Sequence, residues 1–336
     1  MALNLWDSKV LQLIAAGLLL FYVWMDVALY YQVQAMPVSN GKGSAASSSS
    51  SPFAHVTMKA LLLDHTTHYV HNPLAVWFNE ATNFAEVFTW ITANMVSFSH
   101  VVVAVVGMKL LWSDSLSTRQ LGVLLFEVRS FLDAFDGTLA RARAHSSLEE
   151  PGIGSSGHLI DGACDALGCT AMFFGCLGIL RRKPPPHYSA LPGPGGKEAR
   201  ETLAQSNRRA LVLVGCAALQ MTLSSLFWNR TLSEYHDLLE IPGSTYSTRV
   251  IQNTVFKSSA LWITVWFWRL TNPHAMMEMI LISIFLDKLW HFLSWIQYIG
   301  FVILLVQVSI TETHLHYVQD LIPAVNSSMM TPLSGR

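Results

Sequence analysis

Runs of about twenty apolar residues recur along this chain, and they restrict its fold more than any other feature. Each run is long enough to cross the roughly 30 Å hydrocarbon core of a bilayer as a single helix. Backbone groups in lipid must bond to one another, so only helices or closed barrels can span it. The composition agrees, because 51% of the 336 residues are hydrophobic and only 13% are charged, about half the charge of a soluble domain. The sequence therefore predicts an all-α, polytopic membrane protein.

The apolar runs predict about seven transmembrane spans. These are Val10–Tyr31, Phe84–Trp112, Gln120–Ala142, Leu159–Ile179, Ala210–Trp228, Val255–Leu270 and Ala275–Ile310. The last run is long enough for one tilted helix or for two shorter ones. Three polar residues interrupt it, namely Asp287, Lys288 and His291.

The distribution of lysine and arginine predicts the orientation. The segment Arg181–Arg209 holds seven basic residues against two acidic ones, and short loops of this kind stay in the cytosol. Alternation across the predicted spans then places the connection between Asp136 and Asp161 on the luminal side. The predicted organisation has four parts: a transmembrane helix at 1–33, a luminal Gly/Ser linker and interfacial segment at 34–83, a six-helix core at 84–310, and a luminal tail at 311–336.

Four aspartates lie at the luminal ends of two consecutive predicted helices. Asp133 and Asp136 are three residues apart, and Asp161 and Asp165 are four apart, so each pair shares a helix face. A luminal loop between antiparallel helices would bring all four carboxylates into one space, where their repulsion requires bound cations. Oxygen ligands favour hard ions such as Mg²⁺ or Mn²⁺. Two such ions can hold the attacking and leaving oxygens of a phosphoryl transfer.

Small residues and one arginine accompany the aspartates. Gly137 follows Asp136 directly, and it removes bulk where a ligand must approach. Gly157 precedes Asp161 by four residues, which is about one helical turn. Arg141 offers planar donors that suit a phosphate group. Any one aspartate alone would be read as a loop acid or a helix cap, but the joint pattern favours a catalytic site.

This pattern resembles the signature of the CDP-alcohol phosphotransferases, which reads D-x-x-D-G-x-x-A-R, a gap, and G-x-x-x-D-x-x-x-D. Residues Asp133–Arg141 and Gly157–Asp165 match every fixed position. The resemblance implies a six-helix core, here about Phe84 to Ile310, with a two-metal site that the four aspartates hold. It also implies that Asp165 is the general base. The substrate-binding positions of the signature are Gly137, Ala140, Arg141 and Gly157.

Two features depart from the usual pattern of that family. The gap between Arg141 and Gly157 has fifteen residues, which is longer than usual, and the helix Val10–Tyr31 precedes the core and turns its site towards the lumen. Both features resemble the insect ceramide phosphoethanolamine synthases. That resemblance implies transfer of phosphoethanolamine from CDP-ethanolamine to ceramide at the Golgi membrane, with two Mn²⁺ or Mg²⁺ ions as cofactors.

Two other functions stay open at this point. One is a glycerophospholipid synthase of the same family, with diacylglycerol as acceptor or CDP-diacylglycerol as donor, which a luminal site disfavours. The other is a divalent-cation transporter, in which the glycine and arginine positions have no role and the aspartates lie far from a midplane site. The net charge of −1 gives no reason to expect a nucleic-acid partner. The oligomeric state stays open, with a homodimer as one option.

The sequence also leaves open the roles of several other polar residues in or near the spans. Glu127 and Arg129 either line the donor site or neutralise each other. Three residues of the second predicted span could reach the nucleotide; they are Asn94, Ser97 and Ser99. Three histidines are either ordinary interfacial residues or the ligands of a metal site on a loop; they are His65, His68 and His71.

Overall fold

The computed structural model describes residues 9–37, 51, 53, 56–144, 156–183, 197–243 and 245–329. Within these ranges the regular elements are helices, and no strand is present. The all-α class that the apolar runs predict is therefore confirmed.

Twelve α-helices follow one another in the described ranges. They are α1 (Lys9–Ala35), α2 (Met58–Leu62), α3 (Asn72–Thr82), α4 (Phe84–Val87), α5 (Ala93–Leu111), α6 (Leu116–Ala144), α7 (Ser156–Arg182), α8 (Lys197–Tyr235), α9 (Tyr246–Phe256), α10 (Ser259–Thr271), α11 (Pro273–Phe285) and α12 (Leu289–Met329). Two π-helical turns also occur, at Thr67–His71 and His236–Glu240.

Five of the described helices are long and apolar enough to cross a membrane. The spans cover Lys9–Ala35, Ala93–Leu111, Leu159–Arg182, Leu203–Glu240 and Leu289–Ile322. Each corresponds to one of the predicted spans. Helix α1 buries only three of its 27 residues, so most of its apolar side chains are exposed, as contact with lipid requires.

Two of the predicted spans differ from the structure. The run Gln120–Ala142 lies in α6, which has 29 residues but is not one of the five apolar helices, because charged side chains interrupt it. The run Val255–Leu270 corresponds mainly to α10. That helix has 13 residues and is therefore about 20 Å long, too short for a hydrocarbon core of about 30 Å.

The start of the second predicted span is also displaced. Residues Phe84–Val87 form the separate short helix α4, and α5 begins only at Ala93. Thr92 caps α5, because its side chain accepts a hydrogen bond from the Met95 backbone N–H at 3.2 Å. Such a cap satisfies one of the N–H groups that a helix start leaves unpaired.

The run Ala275–Ile310 forms parts of two helices, which separate at its polar residues. Asp287 has a φ of 55°, a left-handed conformation that does not continue a right-handed helix. Its carboxylate accepts hydrogen bonds from Arg119 at 2.8 Å and from Lys183 at 3.5 Å. Burial would raise the pKa of Asp287, but Arg119 and Lys183 together hold it below its usual value. Helix α12 then continues to Met329, well past Ile310.

The chain divides into two compact units. The terminal unit comprises Met1–Tyr69, Thr222–Ala275 and Phe301–Arg336, and the motif unit comprises Val70–Met221 and Met276–Gly300. In the motif unit, α5 packs against α6 and α7. The terminal unit has its own apolar core, whose largest buried side chain is Trp268.

Several segments with predicted roles lie outside the described residues. They are most of the Gly/Ser linker Asn40–Pro52, residues 145–155 of the gap in the signature, residues 184–196 of the basic loop, and residues 330–336 of the tail.

Candidate active site

The four aspartates of the signature lie on α6 and α7 of the motif unit. Asp133 and Asp136 belong to the C-terminal part of α6, and Asp161 and Asp165 belong to the first turns of α7. Apolar contacts fix this part of α6, because Phe135 and Leu139 are buried in one cluster with Ala75 and Val96. The aspartates are therefore held on a packed helix rather than on a loop.

Close packing of α5 against α6 brings a histidine to these aspartates. A Cβ atom on Gly122 of α6 would lie only 3.1 Å from the carbonyl oxygen of Gly107 on α5. The two helices can approach this closely because both residues lack a side chain. His100 precedes Gly107 by seven residues, two helical turns, and so lies on the same face of α5.

His100, Asp133, Asp136 and Asp161 together form what we call the acidic cluster. One ligand atom from each residue lies within 4.8 Å of the ligand atoms of the other three. His100 is 0% exposed and Asp136 is 4% exposed. The hydroxyl of Ser97, also on α5, donates a hydrogen bond to Asp136 Oδ2 at 2.5 Å. Helix α5 therefore both contributes to the cluster and orients one of its carboxylates.

Asp165 is paired with a buried arginine of α6. Arg129, one of the most deeply buried residues of α6, donates a hydrogen bond from Nη2 to Asp165 Oδ1 and forms an ion pair with it. Gly168 makes room for this arginine, because a Cβ atom there would lie 2.9 Å from Arg129 Nε. The carboxylate of Asp165 is thus held by a cation of the protein itself.

The donors of the acidic cluster suit a divalent cation. Neither ring nitrogen of His100 has a hydrogen-bond partner among the described residues, and an unsatisfied buried polar group costs about 1–3 kcal/mol. Neither Asp133 nor Asp136 forms an ion pair with a described residue. A cation held by three carboxylates and an imidazole would satisfy the histidine and balance the negative charge.

The remaining signature residues lie around the same helix ends. A Cβ atom on Gly137 would lie 3.4 Å from Arg141 Nη1, an ordinary contact distance, so the guanidinium lies beside this glycine. Arg141 donates a hydrogen bond to the Thr138 hydroxyl at 3.3 Å. Ala140 is half-buried on α6, and Gly157 is the second residue of α7. Their contact with substrate stays a prediction.

The sequence did not predict that His100 lies among the aspartates or that Arg129 pairs with Asp165. His100 is the single histidine within the apolar helix α5, and a buried imidazole in an apolar helix is a signal that could have found it. Arg129 does not neutralise Glu127. Glu127 instead lies near His71, whose Nε2 is 3.7 Å from the Glu127 carboxylate.

The three histidines of the sequence-based alternative do not form a metal site in the described part of the chain. His65 contacts the Asp26 carboxylate at 2.8 Å, and His68 Nδ1 lies 2.6 Å from the carbonyl oxygen of Ala60. Each imidazole therefore has its own local partner.

Comparison with known proteins finds a matching family and a relative of this chain. The family model described as ceramide phosphoethanolamine synthase matches residues 43–324. The ceramide phosphoethanolamine synthase of Drosophila melanogaster is 43% identical over 277 residues, which cover 81% of this chain and 70% of the relative. No solved structure matches the chain. The matched range includes the whole acidic cluster together with Arg129 and Asp165.

Proposed function

The chain belongs to the ceramide phosphoethanolamine synthase family of transferases, and on that premise we propose that it transfers phosphoethanolamine from CDP-ethanolamine to ceramide. The observation that carries the proposal is the acidic cluster, in which three carboxylates and a buried imidazole meet within 4.8 Å. A glycerophospholipid acceptor or donor is disfavoured by the family. A cation transporter is disfavoured as well, because the family consists of transferases.

In the proposed reaction, the primary hydroxyl of ceramide attacks the phosphorus that carries ethanolamine. A new P–O bond forms to ceramide while the P–O bond to the CMP oxygen breaks, and CMP leaves with the bonding electrons. Asp165 accepts the hydroxyl proton as general base. Little covalent help is needed in phosphoryl transfer, so positioning and charge stabilisation supply most of the rate.

The acidic cluster would hold the cations, with Asp133, Asp136 and Asp161 as oxygen donors. Two Mn²⁺ or Mg²⁺ ions would neutralise the diphosphate and the charge that develops on its oxygens. Arg141 lies at the end of α6, where its guanidinium can bind a phosphate oxygen. Gly137, Ala140 and Gly157 leave the substrate room to approach along both helices.

Arg129 is a positioning residue in this proposal. Its ion pair with Asp165 holds that carboxylate in a fixed orientation, because a charge-assisted hydrogen bond to a buried guanidinium restrains both groups. Asp165 would then accept the proton, while the other three aspartates would hold the cations. Arg129 itself need not touch the substrate.

We place the catalytic core at residues 84–310 in the Golgi membrane, with the active site facing the lumen. The basic segment Arg181–Arg209 supports this orientation, since such loops remain cytosolic. A protease-cleavable tag between Pro192 and Lys197 should be cut from outside in sealed Golgi-derived vesicles. A tag within Glu149–Ser155 should be cut only after detergent is added. Cleavage of the second tag in intact vesicles would show a cytosolic site.

The substrates are tested directly with purified protein in detergent. Each assay combines one donor with one acceptor, and mass spectrometry measures the product. The donors are CDP-ethanolamine, CDP-choline and CDP-diacylglycerol, and the acceptors are ceramide, diacylglycerol and inositol. We expect efficient turnover only for CDP-ethanolamine with ceramide, and turnover lower by about 10²-fold or more in the Asp165→Asn variant. Preferred turnover of diacylglycerol would contradict the proposal.

A further inference from the structure

His100 is the member of the acidic cluster that the aspartate signature does not include. Its side chain is 0% exposed, and neither ring nitrogen bonds to a described residue. One of those nitrogens lies within 4.8 Å of carboxylate oxygens of Asp133, Asp136 and Asp161. A buried imidazole usually donates to a carbonyl or carboxylate, because an unmade hydrogen bond in the interior is costly.

The position of His100 on α5 shows why it lies at the carboxylates. Ser97 precedes it by three residues and shares its helix face, and the Ser97 hydroxyl is bonded to Asp136. Gly107, two turns later, permits the close approach to α6. One face of α5 is therefore built against the acidic cluster, with His100 at its centre.

We infer that His100 is a nitrogen ligand of the bound cation and that it makes the site favour a transition-metal ion such as Mn²⁺ over Mg²⁺. This inference rests on the proposed metal-assisted transfer and adds the residue that determines metal choice. Mg²⁺ strongly prefers oxygen donors in a strict octahedral arrangement. Imidazole nitrogen binds transition-metal ions more readily, so one nitrogen among three carboxylates shifts the preference.

Pulsed electron paramagnetic resonance tests the ligand without relying on activity. The full-length protein is purified in detergent, freed of metal by chelation and given less than one equivalent of Mn²⁺. We expect modulation from a coordinated histidine nitrogen in the wild type, and we expect it to change when the protein is labelled with ¹⁵N-histidine. His100→Gln should lose this modulation while Mn²⁺ still binds to the remaining carboxylates.

Metal preference gives the second readout. The preference for Mn²⁺ is measured as the Mg²⁺ dissociation constant divided by the Mn²⁺ dissociation constant. This ratio should fall by about tenfold or more in His100→Gln, since even residues that only support a metal ligand change metal affinity that much. His316→Gln is the matched control, because His316 is exposed on α12 of the terminal unit. His158→Gln tests the histidine that follows Gly157 in the sequence. His100→Asn replaces His100→Gln if the latter does not accumulate as folded protein.

The outcomes separate this inference from the proposed function. Mn²⁺ binding without any histidine nitrogen overturns the role of His100 and leaves the transfer reaction intact. A nitrogen signal that is lost in His158→Gln but kept in His100→Gln overturns the assignment in the same way. Mn²⁺ binding that is absent, or that is unchanged by Asp133→Asn, overturns the metal-assisted reaction itself.

Discussion

Asp26 and Asp136 are both buried carboxylates on helices, and the protein surrounds them in opposite ways. Asp26 lies on α1 in the terminal unit, and its oxygens accept hydrogen bonds from Tyr69 at 2.7 Å and from Trp266 at 2.8 Å. His65 Nε2 also lies 2.8 Å from Asp26 Oδ2, and Arg269 Nη2 lies 3.4 Å from Oδ1. Four side chains therefore satisfy one carboxylate.

The partners of Asp26 also support one another. The guanidinium of Arg269 lies 4.9 Å from the centre of the Tyr69 ring, as a cation–π pair. Burial raises the pKa of Tyr69 above its usual value, and this outweighs the opposite effect of Arg269. The phenol therefore stays protonated and donates to Asp26 throughout the physiological range. This network ties α1 to the rest of the terminal unit.

The two α6 carboxylates of the acidic cluster are surrounded differently. Asp136 accepts a hydrogen bond from the neutral Ser97, and neither it nor Asp133 is ion-paired within the described ranges. Arg129, a buried cation on the same helix, is paired with Asp165. The protein itself therefore neutralises the Asp26 carboxylate. The carboxylates of Asp133 and Asp136 have no ion-pair partner among the described residues, which leaves them available to a cationic ligand, at a cost in stability.

The largest expected effect follows from a change within the acidic cluster. Asp161→Asn should lower turnover by about 10³-fold or more, because it removes a charged metal ligand and the stabilisation of the reacting phosphoryl oxygens. The protein should remain folded and inserted in the membrane. Steady-state kinetics with CDP-ethanolamine and ceramide measure the loss, and gel filtration in detergent checks the fold. Retention of more than a tenth of the activity would contradict the role of Asp161.

Asp165→Asn should lower turnover by about 10²- to 10⁴-fold, since an amide cannot accept the hydroxyl proton. Metal binding should largely remain, because Asp165 lies outside the acidic cluster. Single-turnover kinetics beside a Mn²⁺ titration would separate the two properties. The assignment fails if activity stays within tenfold of the wild type. A double variant with Asp161→Asn should lose much less than the product of the two single losses.

Asp26→Ala tests whether the paired carboxylate of the terminal unit stabilises the fold. Removing this carboxylate leaves the charge of Arg269 buried without its partner, which should lower the free energy of unfolding by about 3–5 kcal/mol. The protein that remains folded should keep its Mn²⁺ affinity. Asp320→Ala is the matched control, because Asp320 is exposed on α12 and should be neutral. Equal thermal stability of the two variants would show that the Asp26 network does not stabilise the fold.

Gly168→Ala should have the smallest effect, about a tenfold loss of turnover, or ~1.4 kcal/mol. The added Cβ would lie 2.9 Å from Arg129 Nε, so the guanidinium must move away from Asp165. Gly215→Ala is the control, because nothing lies within 4 Å of a Cβ at that position. Both substitutions raise helix propensity equally. Unchanged kinetics for Gly168→Ala would mean that Arg129 does not position Asp165.

The features that sequence predicted are those that depend on local pattern. Apolar runs marked the five membrane-spanning helices, and fixed spacing marked the aspartates of α6 and α7. The polar interruption at Asp287 indicated the end of a helix, but the pattern could not choose between one helix and two. The conformation of Asp287 between the two helices is supported by hydrogen bonds from Arg119 and Lys183, which are more than a hundred residues away in the chain.

The features that sequence missed all depend on distant partners. His100 reaches the aspartates only because Gly107 and Gly122 let α5 and α6 pack closely, and no local pattern states that two glycines will meet. Arg129 is close to Glu127 in sequence but is paired with Asp165 on the next helix.

Metal-dependent stability tests most directly the claim that the acidic cluster is a cation site rather than part of the structural framework. Thermal unfolding is measured for the wild type, Asp161→Asn and Asp26→Ala, first in chelator and then with Mn²⁺. We predict that saturating Mn²⁺ stabilises the wild type, by about 2.7 kcal/mol at a hundredfold excess over Kd. Asp161→Asn should lose this gain yet be at least as stable as the wild type in chelator, whereas Asp26→Ala should keep the gain from a lower starting stability. The acidic cluster is not a cation site if Mn²⁺ leaves the stability of the wild type unchanged and Asp161→Asn destabilises the metal-free protein as much as Asp26→Ala does.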